Sequence, residues 1–474
     1  MAQAEHIAGR VILLGYGTVG QCALPILFDV LGLTPEQVVV IDAVDRRDRL
    51  GALADSRLDF RVRHIDRQTL GSVVDEVAAP GDLLLNLSVG VDSLALADHC
   101  YQNGVLYVDT AIEPWEDMIS DPRKEPPAAR TEYAYHQRAR QQAATRWRRD
   151  GPTAVFTHGA NPGLVSHFTK AALIEVATAM GLDPDEPFTQ REWARLAQKT
   201  GTKVIHISER DTQVSDRPKQ PGEFVNTWSI PGFVEEAMMP VEIGWGTHEC
   251  RLPEGALEHA EGPCNAIYMT RAAAQFWLRS WVPLGGQIAG LALPHSENIT
   301  ISDFLTLRED GVAAYRPTVA FVYLACDAAM ASLHETMMRD WELQPAQRIM
   351  NDDIVAGRDE LGVLLLGHGR GGWWYGSQLD VEAARRVVPG HNPTAIQVAA
   401  SAVAAAAWAL RNPAKGYCEP EDLPHDEILA TARPYLGTMA SQATDWTPLK
   451  THYGLFEEPW RDPDDPWQFT NFLL

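Results

Sequence analysis

Paired cysteines are missing from this sequence: Cys22, Cys100, Cys250, Cys264, Cys326 and Cys418 are scattered over 474 residues with no CxxC spacing. That argues against a disulfide framework and a cysteine-rich zinc site, and a chain of this length can bury a core without such staples. Long apolar runs are missing too. No window approaches the roughly twenty uninterrupted apolar residues that span a bilayer, and the opening MAQAEHIAGR has neither the basic start nor the apolar middle of a secretory signal. The expectation is a cytoplasmic protein with reduced thiols and no membrane partner. Basic residues are scarce, with 40 Lys and Arg against 63 Asp and Glu, a formal charge of -23. This balance argues against nucleic acid and anionic surfaces, and suits either plain solubility or a cationic ligand. Also absent are the GxxxxGK phosphate loop followed by Ser or Thr, the HExxH zinc pair and the GxSxG nucleophile elbow, and no metal is expected.

What is present begins with VILLGYGTVG at residues 11–20, an apolar run breaking into GxGxxG. Gly15 permits a tight turn, Gly17 lets backbone approach a pyrophosphate, and Gly20 lets the following helix lie close to the sheet. Thr18 and Val19 open that helix, whose unpaired N–H groups favour an anion. A second apolar run, 38–41, ends in Asp42, placed to accept hydrogen bonds from an adenosine ribose and to repel a 2′-phosphate, which favours NAD. Asp45 rivals Asp42 for that task, and Arg46 and Arg47 lie close by. Pro25 falls inside the predicted helix and is expected to kink it.

Further strands are predicted at 61–65, 83–87, 105–108 and 154–157, separated by helical lengths, so the first part reads as an α/β doubly wound, Rossmann-type parallel sheet. The polar stretch 115–150, with Pro122, Pro126 and Pro127, reads as an exposed crossover ending in a basic helix. After about residue 160 the runs KVIHISE, EFVNTWSI, MPVEIGW, QIAGLAL, TVAFVYLA, DIVAGRD and GVLLLGHG predict a second α+β domain with a mainly antiparallel sheet. Residues 394–410 turn helical and small, and read as a return to the first domain. The predicted organisation is 1–160 for dinucleotide binding, 161–390 for substrate binding and dimerisation, and 391–474 for the helical return and a tail.

The stretch VILLGYGTVGQCALP, the GANPG turn at 159–163, PHSENITI at 294–301 and TAIQVAASAVAAAAWALRNPAKGYCEPEDLP from 394 together resemble the bacterial homospermidine synthases, which are similar to the saccharopine dehydrogenase group. The resemblance spans essentially the whole chain. It implies tightly held NAD, a homodimer built through the second domain, and conversion of two putrescines, or spermidine plus putrescine, to homospermidine. In that chemistry a hydride leaves the carbon beside one amine, a second amine exchanges into the imine, ammonia or diaminopropane departs, and the hydride returns with no net redox.

The same resemblance selects Glu209, Glu236 and Glu297 as carboxylates for a cationic substrate, each of which read alone is equally a surface or structural acid. Residues 201–300 hold twelve acidic against seven basic side chains, an imbalance suited to a diamine. A carboxylate beside an ammonium holds its proton on, so the acids are expected at the distal end and a proton acceptor at the reacting end. His295 is the expected acceptor, as a neutral imidazole; a lone loop histidine is otherwise structural. The family role of Trp228 is cation-π support of a passing iminium, against the plain reading of one core tryptophan among fourteen. Asn161 and Pro162 are expected to shape the nicotinamide end, and Asn298 to orient substrate. GWWYG at 372–376 reads as entrance lining or subunit packing. Two other readings remain: a saccharopine-type or carboxynorspermidine-type reductive-amination dehydrogenase, which would recruit Arg210, Arg251 or Arg271 for a substrate carboxylate, and a non-catalytic NAD-binding regulatory module.

Overall fold

The computed structural model describes residues 9–119, 124–182, 189–450, 454–456 and 458–474. Residues 1–8 of the opening segment, Pro122 of the crossover and residues 451–453 and 457 of the tail lie outside the described residues. Six short apolar runs become strands β1 (Val11–Leu14), β2 (Val38–Asp42), β3 (Asp59–Val62), β4 (Leu83–Asn86), β5 (Leu106–Asp109) and β6 (Ala154–Val155). Their ends differ from the sequence reading by one to three residues. With Tyr417–Cys418 they form one parallel sheet in the order Tyr417–Cys418, β6, β5, β4, β1, β2, β3. β1, β4 and β5 are buried throughout because elements cover both faces, which is why they read as unbroken apolar runs. Strand order reverses between β1 and β4, opening a crevice at their carboxyl ends.

Helix α1 (Thr18–Leu31) follows β1 and runs unbroken through Pro25. Pro25 is exposed, so its ring meets solvent rather than the core. The crossover differs from expectation. Its helix Glu132–Arg146 buries Tyr133, His136, Ala139 and Ala143, and Arg140 ties it to Glu419 and Asp303 at 2.7 and 2.8 Å. A basic stretch read as a solvated face is thus half engaged in packing.

The second sheet has ten strands, with Val204–Asp211 and Thr318–Leu324 parallel at its centre and the remaining pairs antiparallel. EFVNTWSI departs from the prediction: only Glu223–Asn226 is a strand, and it pairs with Ala346–Ile349 outside the large sheet. Ser229 then caps the helix Ile230–Met238 through the Gly232 N–H, pulling Trp228 into a loop. The late segment divides between the two sheets, since Tyr417–Cys418 joins the first and Thr438–Thr444 the second. Between the sheets lies helix Pro393–Arg411, packed on α1, β4, β5 and β6 and on the strands Arg358–Leu366 and Gly372–Asp380. It is long and apolar enough to cross a bilayer by composition, yet 89% of it is buried inside the protein. Its alanines let the neighbouring backbones come close on both sides.

GWWYG lies in strand Gly372–Asp380. Trp374 is fully buried and covers Gly362, while Trp373 donates from Nε1 to Glu175 and Ser441. This aromatic run is core of its own chain. Trp374→Ala should therefore cost about 3–5 kcal/mol of stability, read by chemical denaturation; a loss under about 1 kcal/mol would contradict the packing.

Candidate active site

The three glycines divide the labour as their positions require. A Cβ on Gly15 would lie 2.6 Å from the Leu87 backbone, and one on Gly20 only 2.2 Å from the Gly15 carbonyl. Gly15 also has a positive φ of 93°. Gly17 is different: a Cβ there would meet nothing within 4 Å, so the missing side chain leaves room for a ligand rather than for protein. Gly17 caps α1 without any side-chain hydrogen bond, and no acidic residue occupies the first turn, so Thr18 and Val19 begin a helix with open N–H groups. Asp42 accepts from the N–H groups of Tyr16 at 2.6 Å and Val44 at 2.8 Å, with Arg46 at 3.5 Å. Asp45 turns outward to Arg47, both side chains 55% exposed. Of the two acids only Asp42 touches the glycine loop, and the cradle fits a dinucleotide pyrophosphate.

The second turn begins where β6 ends. Thr157 takes a positive φ of 56°, and its N–H and that of His158 bond to the Asp109 side chain and carbonyl at 2.6 and 2.7 Å. Gly163, at φ 121°, starts the helix Leu164–Ala179; a Cβ there would sit 2.3 Å from the Gly159 oxygen. The sharp reversal between them presents Asn161 and Pro162 over the carboxyl ends of the strands.

These two turns wall a cavity of about 180 Å³ that also takes Asn86 to Val89, Thr110 and Glu113 from the first sheet. From the second domain come Glu209, Trp228, Glu236, His295, Phe321 and Tyr323, and the core helix adds Thr394 and Val398. No Lys or Arg is among the lining residues.

At its base three carboxyl groups meet. Glu209 and Asp211 point to one face of their strand, and Asp359 lies opposite Asp211 on the next. Asn161 donates to Glu209 at 3.0 Å; Thr227 and Gln213 donate to Asp211 at 2.7 and 3.0 Å; Thr394 donates to Asp359 at 2.6 Å, and Glu209 and Asp359 share a carboxyl–carboxylate hydrogen bond. Burial, reinforced by the neighbouring acids, pushes Glu209 well above the carboxylate range and Asp359 up to about 8; burial alone raises Asp211 to about 6. Such a cluster keeps protons until a cation arrives. A second acidic group lines the other wall, where burial pushes Glu113 up to about 7, with Glu236 adding to it. Glu235 behind it rises to about 9.

His295 stands between Glu236, 3.1 Å from Nε2, and Glu297, 3.3 Å from Nδ1. The Glu236 contact is an ion pair off the axis of a good hydrogen bond. Burial opposes a charge on the ring, but the two carboxylates outweigh it and hold His295 well above its ordinary value. Against the neutral imidazole expected from sequence, the ring is biased toward its protonated form, most by Glu236, which a distant helix supplies, and next by Glu297. Trp228 donates from Nε1 to the Tyr323 hydroxyl at 3.3 Å and packs on Phe233, so its indole plane is fixed against the cavity.

Other expectations fall elsewhere. Asn298 is buried, donates to the Glu242 and Leu293 carbonyls, and does not line the cavity, so it holds structure rather than substrate. Arg210 packs on Gly285, Arg251 reaches the Pro459 carbonyl, and Arg271 lies over Phe276. None of them reaches the site. Sequence reasoning missed Asp211, Asp359 and Glu113. The spacing Glu209-x-Asp211 inside one strand was the available signal, since two acids at i and i+2 share a face, and Glu113 follows β5 where ligands bind.

Residues 11–155 match the saccharopine dehydrogenase NADP binding domain family and residues 159–445 the saccharopine dehydrogenase C-terminal domain family. The chain is 42% identical over 475 residues to homospermidine synthase of Blastochloris viridis, covering 99% of this chain and 98% of that one. It is 38% identical over 479 residues to homospermidine synthase of Mesorhizobium japonicum, covering 99% and 97%. A solved homospermidine synthase from Legionella pneumophila in complex with NAD superposes with a TM-score of 0.91 at 40% identity, over 98% of both chains. With the glycine cradle, the two-sheet architecture and this full-length similarity in agreement, the chain belongs to the homospermidine synthase family.

Proposed function

We propose that this chain is a homospermidine synthase that uses NAD to join two putrescines, or spermidine and putrescine, with release of ammonia or diaminopropane. The observation that carries the reading is a cavity lined by Glu113, Glu209 and Glu236, with no Lys or Arg among its lining residues, beside an open dinucleotide cradle. A saccharopine-type substrate brings its own carboxylates and needs arginines there; a diamine needs the reverse. A purely regulatory NAD module has no use for three buried acids without a cation.

The glycine loop, the α1 N-terminus and Asp42 would hold NAD, with Asn161 and Pro162 at the nicotinamide end. Bound there, NAD supplies hydride acceptance and return. Glu209, with Asp211 and Asp359 behind it, takes the distal ammonium and loses its proton as the cation arrives. At the reacting end Glu236, His295 and Glu297 together carry one net negative charge when the ring is an imidazolium. That group can take one proton from the reacting ammonium, with Glu236, the carboxylate of the group that lines the cavity, as the point of entry. The freed amine then becomes the hydride donor or the nucleophile. Trp228 offers a π face to the substrate iminium, and unlike a carboxylate it cannot trap the charge by accepting a proton.

The acidic surface and the buried core helix accord with a cytoplasmic protein without nucleic acid or membrane partners. A homodimer formed through the second domain is part of the same reading; the uncharged strand Thr438–Thr444, at the end of its sheet, is available for it.

Incubation of purified protein with putrescine and NAD should yield homospermidine and ammonia by mass spectrometry without accumulating NADH. Steady NADH would favour the dehydrogenase reading, and NAD binding without amine turnover the regulatory one. Trp228→Ala should lower turnover by about 2- to 30-fold, the equivalent of a cation-π contribution of about 0.5–2 kcal/mol, while NAD affinity is unchanged. Undiminished turnover in that variant would remove Trp228 from the mechanism.

A further inference from the structure

A second cavity, of about 370 Å³, opens away from the active site between the helices Gln190–Thr200 and Ser296–Phe304 and the segment carrying Glu419 and Glu421. Glu421 lines its wall while only 4% exposed. One carboxyl oxygen, Oε1, accepts from the hydroxyls of Ser166 at 2.6 Å and Thr300 at 2.9 Å, so the group is held in one orientation. The other, Oε2, is buried with no hydrogen-bond partner. An acceptor left so in a native fold calls for an explanation.

The neighbouring cations do not supply one. Arg140 is divided between Glu419 and Asp303, and Lys170 donates to the backbone carbonyls of Glu421 and Leu423 at 2.6 and 3.0 Å. Arg191 and Arg308 are exposed at the rim, the latter turned toward Asp303 at 3.7 Å. Burial, with Glu419 adding to it, pushes the Glu421 carboxyl up to about 7 even though the Lys170 ammonium lies close enough to interact with it. Phe304 and Leu307 supply apolar wall beside it.

We propose that this cavity is an accessory binding site for a primary ammonium on an aliphatic stem, anchored by the unpaired oxygen of Glu421. The ammonium donates to Oε2, the stem lies against Phe304 and Leu307, and the open mouth admits a longer chain. The natural ligand, an aliphatic polyamine, rests on the function proposed above; the anchor itself does not. Thr300, which fixes the carboxyl, shares a short helix with Glu297, so the accessory site is built on the element that carries active-site charge.

Titration of the NAD-free full chain with putrescine, followed by calorimetry, tests this. The wild type should show two classes of site. Glu421→Gln keeps an acceptor for Ser166 and Thr300 and should weaken one class tenfold or more while sparing the other; Trp228→Ala should alter only the class that Glu421→Gln spares. A wild type in which Glu421→Gln weakens no class, whether it shows one class or two, would overturn the proposal. Should Glu421→Gln fail to fold, Gln190→Lys, at the exposed rim beside Phe304, places a tethered ammonium at the cavity and should abolish the same class; two unaltered classes there would overturn it equally. Loss of the Trp228-dependent class alone in the wild type would count against the proposed function and leave the accessory site standing.

Discussion

Three carboxyl groups buried on adjacent strands, with no Lys or Arg in an ion pair with them among the described residues, set the terms for this molecule. Glu209, Asp211 and Asp359 cannot all ionise so close together in a dry interior, and like charges across a strand pair are destabilising. The fold meets the problem with donors from Asn161, Thr227, Gln213 and Thr394, and with retained protons. Each of these carboxyls titrates higher in the fold than in the open chain. Their contribution to stability therefore falls as pH rises through the interval from the ordinary carboxylate range to the raised values, about 6 for Asp211 and about 8 for Asp359. The cluster is a cost in the empty protein, which the ammonium of the proposed substrate would offset.

The rest of the structure brings that cluster to a dinucleotide cradle. The first sheet ends in two glycine turns, and the second presents the acids from its central strand. Helix Pro393–Arg411 locks the two together, contributing Thr394 to Asp359 at its start. The proposed chemistry asks one small cavity both to hold a distal ammonium and to take a proton from the reacting one. Glu209, Glu236 and His295 all line that cavity, with the uncharged indole of Trp228 also on the wall.

Legibility from sequence followed the range of the interactions. The parallel sheet and its strands were readable because strands covered on both faces are continuous apolar runs, and Gly15, Gly17, Gly20 and Asp42 because their fingerprint is local. Tyr417–Cys418 was not, since two residues carry no periodicity. The stretch Thr227 to Ser229 left its predicted strand for a helix cap at Ser229, a local signal outweighed in the reading by the apolar run before it. Glu209 and Trp228 were selected through family resemblance and His295 for its near-neutral imidazole, and all three line the cavity. The upward shift of His295 was not legible because its largest charge effect, Glu236, is remote in sequence, and Asp359 was invisible because only strand register places it opposite Asp211.

The most direct measurement is calorimetric titration of the NAD-free protein with putrescine at pH 7 in buffers of different ionisation enthalpy. If the buried acids surrender protons to an arriving ammonium, the heat depends on buffer and reports release of about one proton, and the release shrinks in Asp359→Asn. A buffer-independent heat in the wild type, or a release unaltered by Asp359→Asn, would contradict the account.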